Sequence, residues 1–368
     1  MKTVRRLFHA DIWSAVLFVG LAFLALFFFI DFVDELGSVG QRGYSALLAA
    51  VYCVLLAPGH LYELMPIAVL IGTIYALARL AQSSQYTILR TGGLGPGRAL
   101  WLLTLLALVF GLFTFAVGDY VAPYAERVAS QMRAVFTGSL KLARSGAWIK
   151  QHALTPDGAR TYSINVGSAE GGSRLRDVRI FEFDADGRLL TRTFAERAEV
   201  ARDGTWTLAD ATVTRWRNAG TESSARQETQ ASLAWPSTLS PQVVAAAVLP
   251  VTTMSTIDLW RYIGHLADNE QALELQKIQF WKRALYPFAC LVMMGLALPF
   301  AYLNARSGGV SVKVFAGIMI GVSFVLLNNV FSHLGVLGNW TPWIVAAVPG
   351  ALYLLISLAA FGWLVRYR

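Results

Sequence analysis

The sequence predicts a membrane α-helical protein of six transmembrane helices that carries an inserted all-β domain. Three observations predict it. Only 15% of the 368 residues are charged and 55% are hydrophobic, with a mean hydropathy of +0.50, whereas soluble domains carry about 25% charged residues. The missing charge is concentrated: residues 12–30, 99–118, 284–305 and 314–365 contain no Asp, Glu, Lys or Arg, and about 18 such apolar residues suffice to cross a bilayer. Residues 141–250, in contrast, hold 14 basic and 12 acidic side chains, a mixture that fits a soluble module.

Span 1 is expected over Ile12 to Phe32. The preceding Met1-Lys-Thr-Val-Arg-Arg6 imitates a signal peptide, but the apolar run is long, lacks a small-x-small site and leads into Asp31, Asp34 and Glu35, so it reads as a retained helix. Tyr44–Tyr62 and Leu64–Ala78 are both uncharged and are separated by Glu63. Two crossings there would make seven spans and put Arg79, Arg90 and Arg98 outside the cell membrane. Basic loop residues favour the cytoplasm, so an interfacial helix over 44–57 followed by one crossing from Pro58 to Leu80 is preferred. Span 3 follows over Ala99–Val121, span 4 over Ala284–Leu303, span 5 over Val314–Ser332 and span 6 over Pro342–Val365. The organisation is therefore 1–121 for spans 1–3, a linker helix over 122–140, the β domain over 141–250, a helical linker over 251–283, and 284–368 for spans 4–6.

Orientation follows from basic residues beside the spans. Lys2, Arg5, Arg6, Arg79, Arg90, Arg98, Arg306, Lys313, Arg366 and Arg368 fall on one side with a single acid, Asp11. Both termini are expected in the cytoplasm and residues 122–283 beyond the membrane.

Within the insert, Val178, Ile180, Phe181 and Phe183 precede Asp184-Ala-Asp-Gly187, after which Leu189 and Leu190 resume. Trp206, Leu208, Val213 and Trp216 follow Asp203-Gly204, and Tyr162, Ile164 and Val166 follow Asp157-Gly158. Turn dipeptides between short β-rich runs indicate an antiparallel sandwich or roll. Residues 255–283 return to a helical spacing and feed span 4.

Several chemistries are excluded. The formal charge of +8 sits in short clusters beside apolar segments rather than on a basic face, so nucleic acid is not a partner. Gly92-Gly-Leu-Gly-Pro-Gly97 is followed by Arg98 and Ala99, without the Lys and Ser/Thr of a phosphate loop. His9, His60, His152, His265 and His333 show no metal-ligand spacing, no G-x-S-x-G elbow occurs, and Cys53 and Cys290 lie in apolar segments as packing residues. Spans 3 to 6 carry no ionisable residue away from their ends, which argues against proton coupling. No cofactor, metal or catalytic group is expected on this chain, and the energy for any work must come from a partner. The loop Ala81–Arg90 suits a short helix with Ser83 or Ser84 as N-cap and Gly92-Gly93 at its end. It is either a plain connector or an apolar face that docks on a partner.

The ordered set Phe32-Val-Asp-Glu-Leu36, Tyr62-Glu-Leu-Met-Pro66, Leu77-Ala-Arg-Leu-Ala-Gln-Ser-Ser84, Asp119-Tyr-Val-Ala-Pro123 and Trp281-Lys-Arg-Ala-Leu-Tyr-Pro287 resembles the LptF/LptG permeases of the lipopolysaccharide export ABC transporter across essentially the whole chain. The Phe-Val-Asp-Glu-Leu turn and the Trp-Lys-Arg-Ala approach to span 4 look more like the LptG branch. The resemblance implies an inner-membrane permease that extracts lipopolysaccharide and passes it to a periplasmic bridge. Its implied partners are an LptF-like permease, two copies of an LptB-like ATPase that holds the ATP and Mg, and an LptC-like membrane-anchored component. The β domain then resembles the family's periplasmic jelly roll. Ser84, Gln85, Tyr86, Thr87, Ile88, Leu89, Arg90 and Gly93 resemble the ATPase-coupling helix. Leu24, Phe28, Phe32, Leu64, Arg133, Ile320 and Phe324 correspond to the lipid cavity, Arg133 toward the headgroup. Two positions depart from the pattern. Gln85 stands where the family often has Glu, and Asp31, Gly37 and Ser38 stand where some members have lysines. Alternatives are the sister permease, an ABC permease for another lipid or lipoprotein, and a membrane-anchored binding or scaffold protein.

Overall fold

The computed structural model of the chain describes residues 2–83, 95–137, 147–155, 158–169, 174–201, 205–219, 222–237, 254–268, 274–302 and 309–367. It divides into two compact units, one of Met1–Gly37, Ala49–Ala125 and Glu274–Arg368, the other of Ser38–Leu48 and Glu126–Leu273.

The first unit is a helix bundle. Helix α1 (Lys2–Leu36) is joined through a 3-10 turn at Gln41–Gly43 to α2 (Ala46–Gln82), and α3 (Pro96–Ala116) passes through a π-helical turn, Val117–Val121, into α4 (Ala122–Thr137). After the β strands come α5 (Thr256–Asp268), which with α4 from Glu126 onward belongs to the second unit, and then α6 (Glu274–Ala297), the short α7 (Pro299–Tyr302), α8 (Val310–Leu337) and α9 (Pro342–Tyr367) of the first. Five described helical stretches are long and apolar enough to cross a membrane: His9–Leu36, Ala46–Gln82, Gly97–Arg133, Val310–Leu337 and Pro342–Trp363.

The expected fourth span differs. Its helix, α6, opens among charged residues at Glu274 and stops at Ala297. The uncharged part, 284–297, rises about 21 Å against a hydrocarbon core of about 30 Å. The stop lies at a tight turn in which Leu298 N–H bonds the Gly295 carbonyl, just before Pro299, which has no N–H to continue the ladder. A second correction concerns residues 44–80. The interfacial helix and the crossing are one continuous α2, with Pro58 and Pro66 inside it, so the break expected before Pro58 is absent; the charge of the exposed Glu63 does not interrupt the helix either.

Between helices in lipid, close van der Waals packing replaces the hydrophobic effect as the cohesive force. Val16 of α1 sits over Gly72, where a Cβ would lie 2.7 Å from the Val16 backbone. On α8, Gly317 and Gly321 receive Ile74 and Ile67 of α2, at 2.7 and 2.9 Å from the would-be Cβ atoms. Several polar side chains are satisfied within the bundle: Ser323 and Tyr353 share a 2.6 Å hydrogen bond, and Ser332 donates to the Asn328 carbonyl at 2.7 Å.

In the second unit, six antiparallel strands pair strictly in chain order: β1 Ala147–Thr155, β2 Gly158–Ala169, β3 Arg174–Phe183, β4 Leu189–Val200, β5 Trp206–Ala219 and β6 Glu222–Trp235. The turn expected at Asp184–Gly187 is present. Gly187 takes φ +77, and the Asp184 carboxylate accepts from the N–H groups of Asp186 and Arg188. One face buries Ile149, Ile164, Val178, Ile180, Ala195, Trp206, Leu208 and Ala211.

The sheet is rolled. The rings of Tyr162 on β2 and Trp235 on β6 are 5.5 Å apart, although four strand spacings in a flat sheet would separate them by about 19 Å. Ser237, just past β6, donates to Gln151 on β1 at 2.7 Å. A line of interrupted pairing crosses the sheet at Asp177, Glu196 and Asp210, and Asp177 and Asp210 take φ +52 and +53. Irregularities of this kind bend a sheet. The expected jelly roll is thus, among the described residues, a rolled meander in which every strand pairs only with its sequence neighbours.

Candidate functional site

The bundle is polarised end to end. The contacts Val16–Gly72 and Ile74–Gly317 place the N-terminal halves of α1 and α8 beside the C-terminal half of α2. Just past α3, Gly118 lies against Tyr62 in the middle of α2, so α3 starts at the end where α2 finishes. Gly335 of α8 meets Val345 at the start of α9, which sends the C-terminal end of α9 back to the same end. That end carries Arg79, Arg98, Lys313 and Arg366 with one acid, Asp11, while Asp31, Asp34, Glu35, Glu63 and Asp119 mark the opposite end, where Lys282 and Arg283 of α6 lie near Glu63 and Tyr62.

At the acidic end, α1 and α2 are tied together. His60 donates from Nε2 to Asp31 Oδ2 at 2.7 Å, with the two side chains about one-fifth exposed. The Phe27 ring, one turn below Asp31, lies 4.8 Å from the same imidazole. The adjacent stripe of α1 carries Leu24, Phe28 and Phe32, all half-buried, and the Phe28 and Phe32 rings stack at 6.0 Å.

Beside this pair, α2, α3 and α6 meet in an aromatic layer. The π turn closes with Ala122 N–H on the Val117 carbonyl five residues back, and it brings Gly118 flat against the Tyr62 ring, where a Cβ would stand 2.1 Å from Cδ2. The Tyr62 and Tyr286 rings are 4.7 Å apart, and Tyr286 Oη donates to the Glu63 carbonyl. Nearer the basic end, Thr114 and Cys290 are in hydrogen-bond contact at 3.5 Å. Such π turns recur where a helix must be re-aimed, and here one coincides with Pro58 and Pro66 in α2 and Pro287 in α6.

The expected cavity residues separate. Leu24, Phe28 and Phe32 form one stripe, whereas Leu64 on α2 and Ile320 on α8 are half-buried, with Ile320 packed on the bundle core. Phe324 is 4% exposed and meets Tyr353 edge-on at 5.2 Å, so within this chain it is a packing residue of the bundle interior. Arg133 belongs to the second unit and is half-buried on α4. There Arg127 Nη2 holds Asp258 of α5 at 2.8 Å. Burial alone would raise the Asp258 carboxyl, but the hydrogen bonds from Arg127 and Ser255 outweigh it and hold the group below its ordinary value. The coupling segment Ser84, Gln85, Tyr86, Thr87, Ile88, Leu89, Arg90 and Gly93 lies outside the described residues, at the connection from α2 to α3. Ser83, the other candidate N-cap, donates instead to the Arg79 carbonyl at 3.1 Å and finishes α2.

Two features escaped the sequence reading. His60 reads as an ordinary interfacial residue, and only its coincidence with Asp31, both ionisable groups in apolar runs, could have flagged the pair. Gly118 carries no signal at all, since a π turn has no sequence signature of its own.

A bundle of long apolar helices with a β sheet inserted in mid-chain defines a multi-pass membrane protein. The chain belongs to the lipopolysaccharide export system permease LptF/LptG family, whose profile matches residues 6–364. It is similar to the lipopolysaccharide export system permease protein LptG of Escherichia coli strain K12, 28% identical over 332 residues covering 89% of both chains. It is also similar to the LptG protein of Haemophilus influenzae strain Rd, 25% identical over 363 residues covering 97% of both. As a member of this family it is a transport permease of the inner membrane and not an enzyme.

Proposed function

We propose that this chain is the LptG-like permease subunit of a lipopolysaccharide exporter. It takes lipopolysaccharide from the inner membrane and hands it to a periplasmic bridge of rolled β domains. The observation that carries this reading is the unbroken family match over 6–364, which runs through the helices and the β insert alike. The partners are an LptF-like permease, an LptC-like bridge component and two LptB-like ATPases, which hold the ATP and Mg; the permease itself needs no cofactor. Residues 84–93 contact the ATPase. The basic end of the bundle, with Arg79, Arg98, Lys313 and Arg366, faces the cytoplasm, as positive charge beside spans does. The acidic end and the β sheet are then periplasmic. An even number of crossings, with α6 as the short fourth, returns both termini to the cytoplasm.

The stripe Leu24, Phe28 and Phe32 supplies an apolar wall for acyl chains, each buried methylene contributing about 0.8 kcal/mol. Arg133 meets the headgroup.

The test is purification of the intact complex from native membranes, with bound proteins and lipids identified by mass spectrometry. The reading expects a second permease, an ATPase and lipopolysaccharide. Purification with ordinary phospholipid and no ATPase would overturn it. Cysteines placed at Ser173 and Ser307 test orientation independently, because only the first should react with an impermeant reagent added outside.

A further inference from the structure

Asp31 and Phe27 are one helical turn apart on α1, and both engage a single side chain of α2. His60 donates to the Asp31 carboxylate at 2.7 Å, and its ring lies 4.8 Å from the ring of Phe27. Two contacts on one stripe fix a helix's rotation about its own axis, which a single contact does not. Successive residues on a helix are about 100° apart, so holding 27 and 31 against α2 sets where 28 and 32 point. On the outer side of this half of α1 the side chains of Phe29, Ile30 and Val33 are 65%, 44% and 48% exposed and do not resist rolling, and the next buried side chain toward its end is Glu35, one turn past Asp31 and 4% exposed. A roll by one residue would bring Phe29 and Val33 to the azimuth of the stacked Phe28 and Phe32.

We propose that His60 and Asp31 are positioning residues for cargo capture: their pair, reinforced by Phe27, holds α1 at the rotation that presents Phe28 and Phe32 to the lipid. The inference rests on the reading of this chain as a lipopolysaccharide permease. The pair occupies ground where a bare charge is costly, so each partner also keeps the other soluble in its half-buried site. Asp31, rather than serving as a headgroup contact, is turned into the bundle.

The experiment places a photoreactive phenylalanine analogue at 28 or, separately, at 29 in the full complex in native membranes, and reads the ratio of lipopolysaccharide captured at the two positions. In the unaltered chain capture favours 28. Asp31→Ala and His60→Leu should each lower the 28-to-29 ratio at least threefold, and the swap Asp31→His with His60→Asp should restore most of it. A loss of protein alone lowers both captures and leaves the ratio unmoved. If the single variants fail to insert, Phe27→Ala removes one of the two holds without stranding a charge and must lower the ratio. A ratio unchanged by every variant overturns the inference. If the unaltered chain captures only glycerophospholipid, the transport reading fails; the same ratio, read on phospholipid adducts, still decides whether the pair sets the rotation of α1.

Discussion

Replacing Gly118 with Ala tests whether the aromatic layer at the acidic end is as tight as it looks. Two effects oppose each other. Alanine is favoured over glycine in a helix by up to about 1 kcal/mol. Against that, the new Cβ would stand 2.1 Å from Tyr62 Cδ2, 2.3 Å from Cε2 and 2.9 Å from Cγ, whereas carbon atoms rest comfortably at about 3.5–4.0 Å. The ring must therefore retreat by roughly 1.4 Å or more. Its retreat is limited by Tyr286, whose ring is 4.7 Å away and whose hydroxyl is bonded to the Glu63 carbonyl. Overpacking costs about 1–3 kcal/mol, and a contact this short against a confined ring falls in the upper part of that range, about 2–3 kcal/mol, so the clash wins and the variant is destabilised by about 1–2 kcal/mol after a helix gain of about 1 kcal/mol is subtracted. Gly20→Ala on α1 is the internal control, because nothing lies within 4 Å of its would-be Cβ, and it should be neutral or slightly stabilising. Thermal unfolding of the purified complex in one detergent, followed by tryptophan fluorescence, should give a lower Tm for Gly118→Ala than for the unaltered chain and for Gly20→Ala. A Tm for Gly118→Ala at or above that of Gly20→Ala would refute the packing argument.

Three further outcomes are expected. Trp206 is fully buried and its Nε1 finds no acceptor among the described residues; Trp206→Ala should cost about 3–5 kcal/mol, while Trp206→Phe loses packing but sheds an unsatisfied donor that costs about 1–3 kcal/mol, so proteolysis of the β domain should be fast in the first and near normal in the second. Leu89→Asp should abolish co-purification of the ATPase with the permease still inserted, since a bare charge in an apolar docking face is costly; an undiminished yield of complex would make residues 84–93 a plain connector. Asp258 has a lowered pKa, so the stability its pair with Arg127 contributes is present above the unfolded value of 3.8 and is lost as pH falls through the folded value below it. With both side chains 41% exposed, the pair is screened to under about 1 kcal/mol; the small Tm difference between Arg127→Met and the parent should hold above the unfolded value of 3.8 and shrink as the pH falls below it.

The spans were legible because absence of charge is a strong signal: nothing but burial in lipid explains residues 99–118 or 314–365. The β turn at Asp184–Gly187 was legible because its backbone needs the residue types found there. Composition misled where chain geometry decides. A break before Pro58 was expected, yet a proline inside a helix kinks or weakens it without always ending it, and α2 runs on through both Pro58 and Pro66. The uncharged run 284–305 looked like a full span, but Pro299 cannot extend the ladder of α6. Phe324 was singled out for size and depth, properties shared by core and cavity residues; its partner Tyr353, distant in sequence, makes it a core residue. The pairing of His60 with Asp31 spans two helices, and no local pattern encodes it.

The central claim is that this chain moves lipopolysaccharide with energy supplied by a partner. The direct measurement uses vesicles containing the complete complex, loaded with lipopolysaccharide, and a soluble β-domain acceptor carrying a photocrosslinker outside. The account predicts adducts that accumulate with ATP, fail to form when the ATPase is inactive, and disappear when this chain is omitted. Adduct formation at the same rate without this chain, or without ATP, would contradict it.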